Sequence, residues 1–377
     1  MYILGTDEAG YGPNLGPLVI SVSVWDVPVN LSGEEMYKRL YPIVCPVKAK
    51  KELKTNKGSF LLDDSKKLYH GHSSSGVKHL EYALLTALRS IGKIDSNVDF
   101  QTLYTALTQG TSGLFHNNEA SNSVMEWEIP QSFPIPLDAD KEYLNITTEA
   151  FQRIQNDSDV HLTDLRSDVV FPARFNRECA ALGNKSTLLS KTTLNLLKAA
   201  LQSCHGETVV WCDKHGGRNF YADLLNECFN DSKDNKSNDD MSESCQSDCR
   251  AQQLSLFDND NSDNEVDETI KKEDDSSQDF VEILEQSERI SSYRFTWQGY
   301  DRTIHFQAKS DNSVPAALAS IACKYLRELF MNQFNQYWRC KVENLAPTAG
   351  YPQDAKRFLE QIRSKIDFPL SQIWRMK

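Results

Sequence analysis

The chain has 377 residues, 40% of them hydrophobic and 25% charged, which suits one large core or two ordinary ones. No apolar run approaches the ~18 residues that cross a bilayer, and the nine cysteines are odd in number and scattered, with no paired CxxC motifs of the kind that cage zinc, so a cytoplasmic protein with reduced thiols and no membrane partner is expected. The formal charge of −12 argues against a nucleic-acid partner only until it is located: residues 231–288 hold 19 acids against 5 bases, leaving 34 acids and 36 bases elsewhere.

In chain order, "YIL" and "LVISVSVW" read as strands on either side of "GTDEAGYGPNLGP", which puts Asp7 and Glu8 where a strand runs into a glycine-rich turn. Next come the basic stretch "KAKKELKTNK" and the helical pattern "VKHLEYALLTALRSIG" after the break "SSSG". The segment from 100 to 165, centred on "MEWEIPQSFPIPLD", carries no motif and is read as an added lobe or a substrate-guiding surface. "GNKS" caps the helix "NKSTLLSKTTLNLLKAALQS", followed by a buried strand "ETVVWCD" and a helix "NFYADLLNECF".

Residues 230–280 are rich in Asn, Asp and Ser and bury too little apolar area to offset chain entropy, so they are read as a disordered acidic insertion. Within it, Cys245 and Cys249 lack the second pair that a zinc site needs. After it, "SYRFTWQGYDRTIHFQA" reads as a hairpin turning at Gly299, and "NSVPAALASIACKYLRELFMNQFNQYW" as a long helix whose small early residues allow close approach to a sheet. Strands mixed with amphipathic helices make an α/β or α+β fold. The expected domains are 1–229 with 281–377, carrying insertions near 45–60 and 100–165, and the insertion 230–280.

Three places put carboxylates at element ends: Asp7 with Glu8, Asp213 after "VVWC", and Asp311 before the long helix. Brought together they repel unless cations bind between them, and hard oxygen ligands suit Mg²⁺ or Mn²⁺. Taken singly, each has a structural reading: a solvated turn, a turn former before Gly-Gly, a helix cap.

The surrounding motifs supply a resemblance. "DEAGYGPNLGPLV" is similar to the signature of the ribonuclease HII family, "LDDSKKL" to its second motif, "SDNSVPAALASIACKYLRELFM" to its Ala-Ser-Ile-x-Ala-Lys helix, and Gly350-Tyr351 to its late Gly-Tyr. The matches run in family order across almost the whole chain. They imply a ribonuclease H-like mixed sheet flanked by helices, with Asp7, Glu8, Asp213 and Asp311 as catalytic ligands of two Mg²⁺ or Mn²⁺ ions. They also imply Lys66 and Lys324 near substrate phosphates, and Gly10, Tyr11, Gly12 and Tyr351 reading the ribose 2′-hydroxyl. The implied substrate is an RNA-DNA hybrid or ribonucleotide-containing DNA. Tyr11 stands where the family has arginine, and Lys356 where it has histidine. Asp213 is assigned by its strand-end setting in "WCDKHGG", and the nearby competitor His215 is read as a loop histidine in preference to a general acid. Within the insertion, "QLSLF" resembles the pentapeptide that docks bacterial proteins on the sliding clamp, through Gln253, Leu254, Leu256 and Phe257. Two other readings stand beside the nuclease: an inactive domain that binds hybrids or the clamp, and a nuclease for another structured nucleic acid.

Overall fold

The computed structural model describes residues 1–33, 35–69, 76–109, 124–230, 280–308 and 313–376. Residues 1–229 and 281–377 form one compact unit; nearly all of the second, 230–280, including the "QLSLF" segment, lies outside the described residues.

The chain runs through β1 (Tyr2–Ala9), β2 (Leu18–Asp26) and α1 (Glu35–Leu40) into a two-strand pair, β3 (Val44–Cys45) with β4 (Phe60–Leu61), around a 3-10 stretch Val47–Lys54. There follow α2 (Ser65–Leu68), α3 (Lys78–Ser90), β5 (Val98–Asp99), α4 (Phe100–Thr108), a 3-10 turn Glu126–Glu128 and β6 (Pro134–Ile135). Then come α5 (Lys141–Ser158), β7 (His161–Val170), α6 (Pro172–Leu182), α7 (Lys185–Leu201), β8 (Thr208–Asp213) and α8 (Ala222–Phe229). The last elements are β9 (Glu282–Gln286), β10 (Ile290–Trp297), β11 (Tyr300–Gln307), α9 (Val314–Arg339) and α10 (Pro352–Ile362). No described helix is long and apolar enough to cross a membrane.

Seven strands make one mixed sheet in the order β7-β2-β1-β8-β11-β10-β9. β2 is antiparallel to β1 and β7, while β8 is parallel to both β1 and β11. β7 and β8 run parallel with β2 and β1 between them, which a hairpin cannot join, so α6 and α7 carry the chain over to β8. The β10–β11 hairpin turns where the sequence places it. Trp297 pairs with Tyr300, and Gln298 and Gly299 both take positive φ, 53° and 77°, as a tight twisted turn requires.

Helices cover both faces, which is why β2 is buried along nearly its whole length. α9 lies along β1 and β2, with α3 and α5 behind it, in a core that includes Ile3, Trp25, Leu84, Phe151 and Leu326. On the other face Arg166, opposite Val22, donates to the Ala199 carbonyl of α7 at 3.2 Å.

β7 is an element the sequence did not announce. Its first five residues fall in the segment read as an added lobe, yet it is an outer strand of the central sheet. Its charges are paired: Asp164 with Lys93 of the loop after α3 at 2.5 Å and with Arg166 of β7 itself, and Asp168 with Arg174 of α6 at 2.7 Å. The rest of that segment is tied inward by Glu81 of α3. This fully buried carboxylate accepts from the backbone N–H of Leu137, Asp138 and Ala139 at 2.6–2.8 Å and from the Tyr325 hydroxyl of α9 at 2.6 Å.

Candidate functional site

The site begins with the seat of α9 on the sheet. Gly5 faces the helix: a methyl group there would stand 2.3 Å from Ala316 N and 2.4 Å from the Pro315 carbonyl carbon. Opposite Gly5 on β2, Ser23 Oγ donates to the Pro315 carbonyl at 2.7 Å and accepts from Trp25 Nε1 at 2.9 Å. The small residues at the start of α9 therefore serve contact, and Ser313 caps the helix by accepting from Ala316 N.

Two residues beyond Gly5 on β1 is Asp7, and two beyond its parallel partner Trp211 on β8 is Asp213. Side chains alternate along a strand, so Asp7 shares Gly5's α9-facing side, and Asp213, in the matching register position, shares it too. Glu8 takes the opposite side. Its charge, with that of Asp213, raises the buried Cys212 thiol, which burial chiefly pushes up to about 12; Asp7 and Glu8 together act on Cys323. Cys323 Sγ also contacts the Asp7 carbonyl at 3.0 Å, which keeps α9 beside the end of β1.

Three of the four predicted carboxylates thus gather at neighbouring strand ends. Asp311 lies outside the described residues, two positions before the Ser313 cap. Among the described residues no three His, Cys, Asp or Glu side chains form a ready metal-binding group. Even so, the donor set is all carboxylate, which fits hard cations in kind. Asp213 also lines a cleft of about 490 Å³ with Lys214, Asn219 and Glu288.

The glycine turn follows directly. Gly10 has φ of 92°, and a Cβ there would meet Arg327 Nε and the Pro17 carbonyl at 2.5 Å, so only glycine fits. Gly12 is exposed with nothing near it. Behind the turn, Asn14 N donates to the Gly350 carbonyl at 2.8 Å and Arg375 N to the Asn14 carbonyl at 2.8 Å. Buried Arg327 donates to the Ala349 carbonyl at 3.0 Å and Arg375 Nη2 to the Pro13 carbonyl. The late Gly-Tyr pair is thereby docked on the first turn, with Tyr351 exposed at its edge.

Tyr11 is half-buried, with its hydroxyl against Gly216, and carries the Lys185 ammonium over its ring at 4.7 Å. Burial raises its hydroxyl pKa, Glu8 raises it further and Arg218 opposes them. Lys185 and Arg218 were not singled out by sequence: they come from α7 and the loop after β8, and only the fold brings them to the turn.

The second motif meets α9 through Ser320, whose Oγ lies 2.9 Å from Ser65 Oγ and accepts from Ser65 N at 3.2 Å. Lys66 is exposed on α2. Lys324 pairs with Glu328 at 2.5 Å and lies over the Tyr69 ring at 4.5 Å, with the Tyr69 hydroxyl donating to Glu328 at 2.9 Å. His215 is wholly buried, within 3.1 Å of Ser190 Oγ, and burial depresses its pKa to about 3. A neutral histidine so enclosed serves packing rather than acid catalysis.

No protein-family model matches this sequence, and no curated protein does. Among solved structures the fold is similar to ribonuclease H2 of Pyrococcus horikoshii, at 15% identity and TM-score 0.37, over 99% of this chain and 92% of that one. It is similar also to ribonuclease HII of Archaeoglobus fulgidus, determined in complex with PCNA (12% identity, TM-score 0.36, 100% and 95% covered). A third is Bst-RNase HIII, determined with Mn²⁺ (12%, TM-score 0.36, 100% and 66%).

Proposed function

We propose that this chain is a ribonuclease H-like, metal-dependent endonuclease that cuts the RNA strand of RNA-DNA hybrids, or ribonucleotides embedded in duplex DNA. The observation that carries the reading is the placement of Asp7 and Asp213 on one face of adjacent parallel strands, beside the seated start of α9, with the clasped glycine turn following β1. Asp7, Glu8, Asp213 and Asp311 would hold Mg²⁺ or Mn²⁺, which supplies positive charge at the scissile phosphate and lowers the pKa of water.

The chain's own residues do the positioning. The rigid turn offers backbone groups of Gly10, Tyr11 and Gly12 to a sugar, and Tyr351 borders the same surface. A ribose 2′-hydroxyl, donor and acceptor at once, is the feature such a surface can select. Tyr11 lacks the guanidinium of the family signature, but Lys185 over its ring returns a cation to the turn. Lys66, exposed on α2, and Lys324, paired with Glu328, would both meet the backbone as point charges on flexible stems. Docking on a sliding clamp through Gln253, Leu254, Leu256 and Phe257 is proposed from the sequence alone.

The test is cleavage of end-labelled duplexes in Mg²⁺ or Mn²⁺: a hybrid, a DNA duplex with one ribonucleotide, and an all-DNA control, with Asp7→Asn alongside. Cutting of a ribose-containing substrate by the unmodified protein only is the expected result. Equal cutting by Asp7→Asn removes the assigned site, and binding without cutting in either ion leaves a nucleic-acid-binding protein.

A further inference from the structure

Beside the candidate site lies a larger cleft, built on the stretch near 45–60 that the family resemblance does not cover. It encloses about 1320 Å³ between α1, the Val47–Lys54 turn and the start of α2, and its lining includes Tyr37, Lys38, Tyr41, Lys48 and Lys67. Two carboxylates also line it, and the chain itself engages both. Glu35 accepts from Ser32 N at 3.0 Å and Ser32 Oγ at 2.8 Å; Asp63 accepts from Val47 N at 3.0 Å, Asp64 N at 2.9 Å and Lys67 Nζ at 2.7 Å. Lys38, whose charge also acts on Glu35, and Lys48 are exposed cations on the walls, and Lys50, Lys51 and Lys57 are exposed on the same stretch.

The cleft shares its supports with the site. Gly33, next to Ser32 of the wall, abuts the α9 cap: a methyl on it would stand 2.9 Å from Ser313 Cβ. Asp63 and Lys67 flank Ser65, which Ser320 ties to α9. Residues 47–57 hold five lysines and one glutamate in a chain of net negative charge, so this is a local concentration of positive potential.

We propose that this cleft holds the sugar-phosphate backbone of the nucleic acid entering the candidate site, away from the position cut. The proposal rests on the function proposed above. Lys38 and Lys48 supply sequence-independent phosphate contacts, and such contacts set affinity and its salt dependence, not base preference.

The experiment measures binding of a labelled RNA-DNA hybrid across a salt series by the full chain in the Asp7→Asn background, which keeps the substrate whole. Lys38→Ala with Lys48→Ala is compared with Lys38→Arg with Lys48→Arg, and with a charge-matched control, Arg294→Ala with Lys341→Ala, elsewhere on the chain. At roughly 0.9 per phosphate, losing two contacts makes the slope of log K against log salt shallower by about 2, or about 60-fold weaker binding at 0.1 M salt if the lines meet at 1 M. The arginine pair is expected to retain the slope and the control to leave it unchanged. An alanine pair with unaltered slope and affinity overturns the cleft assignment while the function stands, and so does an equal loss in the control. A parent protein that binds no hybrid overturns the functional reading and this inference with it.

Discussion

Gly5→Ala tests whether the seat of α9 on β1 sets the site. The added Cβ would lie 2.3 and 2.4 Å from two backbone atoms of the helix's first turn, against an ordinary separation of about 3.5–4 Å. No side chain can rotate away, and the Ser23 hydrogen bond at 2.7 Å holds the same turn down. The helix must lift by about 1 Å, or the strand must buckle. Overpacking typically costs about 1–3 kcal/mol, and contact with fixed backbone puts this case near 3 kcal/mol. In urea, with a slope near 3 kcal/mol/M, the midpoint is expected to fall by about 1 M. Cleavage is expected to fall further, since misplacing a catalytic group by about 1 Å can cost on the order of 100-fold. Gly12→Ala is the matched control: it has no neighbour within 4 Å and no left-handed φ, so it is expected to be neutral or more stable by about 0.4–1 kcal/mol. A Gly5→Ala protein with the parent midpoint would refute the reasoning.

Three further outcomes are expected. Glu81→Ala leaves three backbone N–H groups and the Tyr325 hydroxyl without their acceptor, so thermal unfolding should register a loss of about 3 kcal/mol or more. Burial raises the Glu128 carboxyl pKa to about 8, and its Oε1 has no hydrogen-bond partner among the described residues. The unfolded chain then releases this proton first as pH rises, so stability is highest below about 4.5 and declines up to about 8; Glu128→Gln should flatten that decline in urea titrations at stepped pH. Lys185→Ala removes the cation over Tyr11, worth about 0.5–1 kcal/mol at an accessible site, so KM for the hybrid should rise about 2–5-fold with kcat unchanged.

Much of this was legible where a local rule decides. The β10–β11 turn follows from one glycine between alternating apolar residues, and α7 from its Asn184 cap, which accepts from Thr187 N at 2.8 Å. The end-of-strand carboxylates were visible singly, but their meeting depends on β8 lying parallel to β1, and sheet order is not a local property. β7 escaped because its polar residues look like those of a loop. They are compatible with burial only because Lys93 arrives from the loop after α3 and Arg174 from α6. The cations at Tyr11 escaped for the same reason.

The clasp behind the glycine turn joins residues far apart in the chain: the Asn14 side chain donates to the Arg375 carbonyl at 3.2 Å, across 361 positions. Contacts of such sequence separation form late, because loop closure must precede them. During synthesis the turn emerges well ahead of Arg375, yet its lock is made only after Arg375 has emerged. A nascent chain could therefore assemble most of its sheet while the proposed ribose-reading surface is still loose, which would separate the onset of folding from the onset of substrate selection.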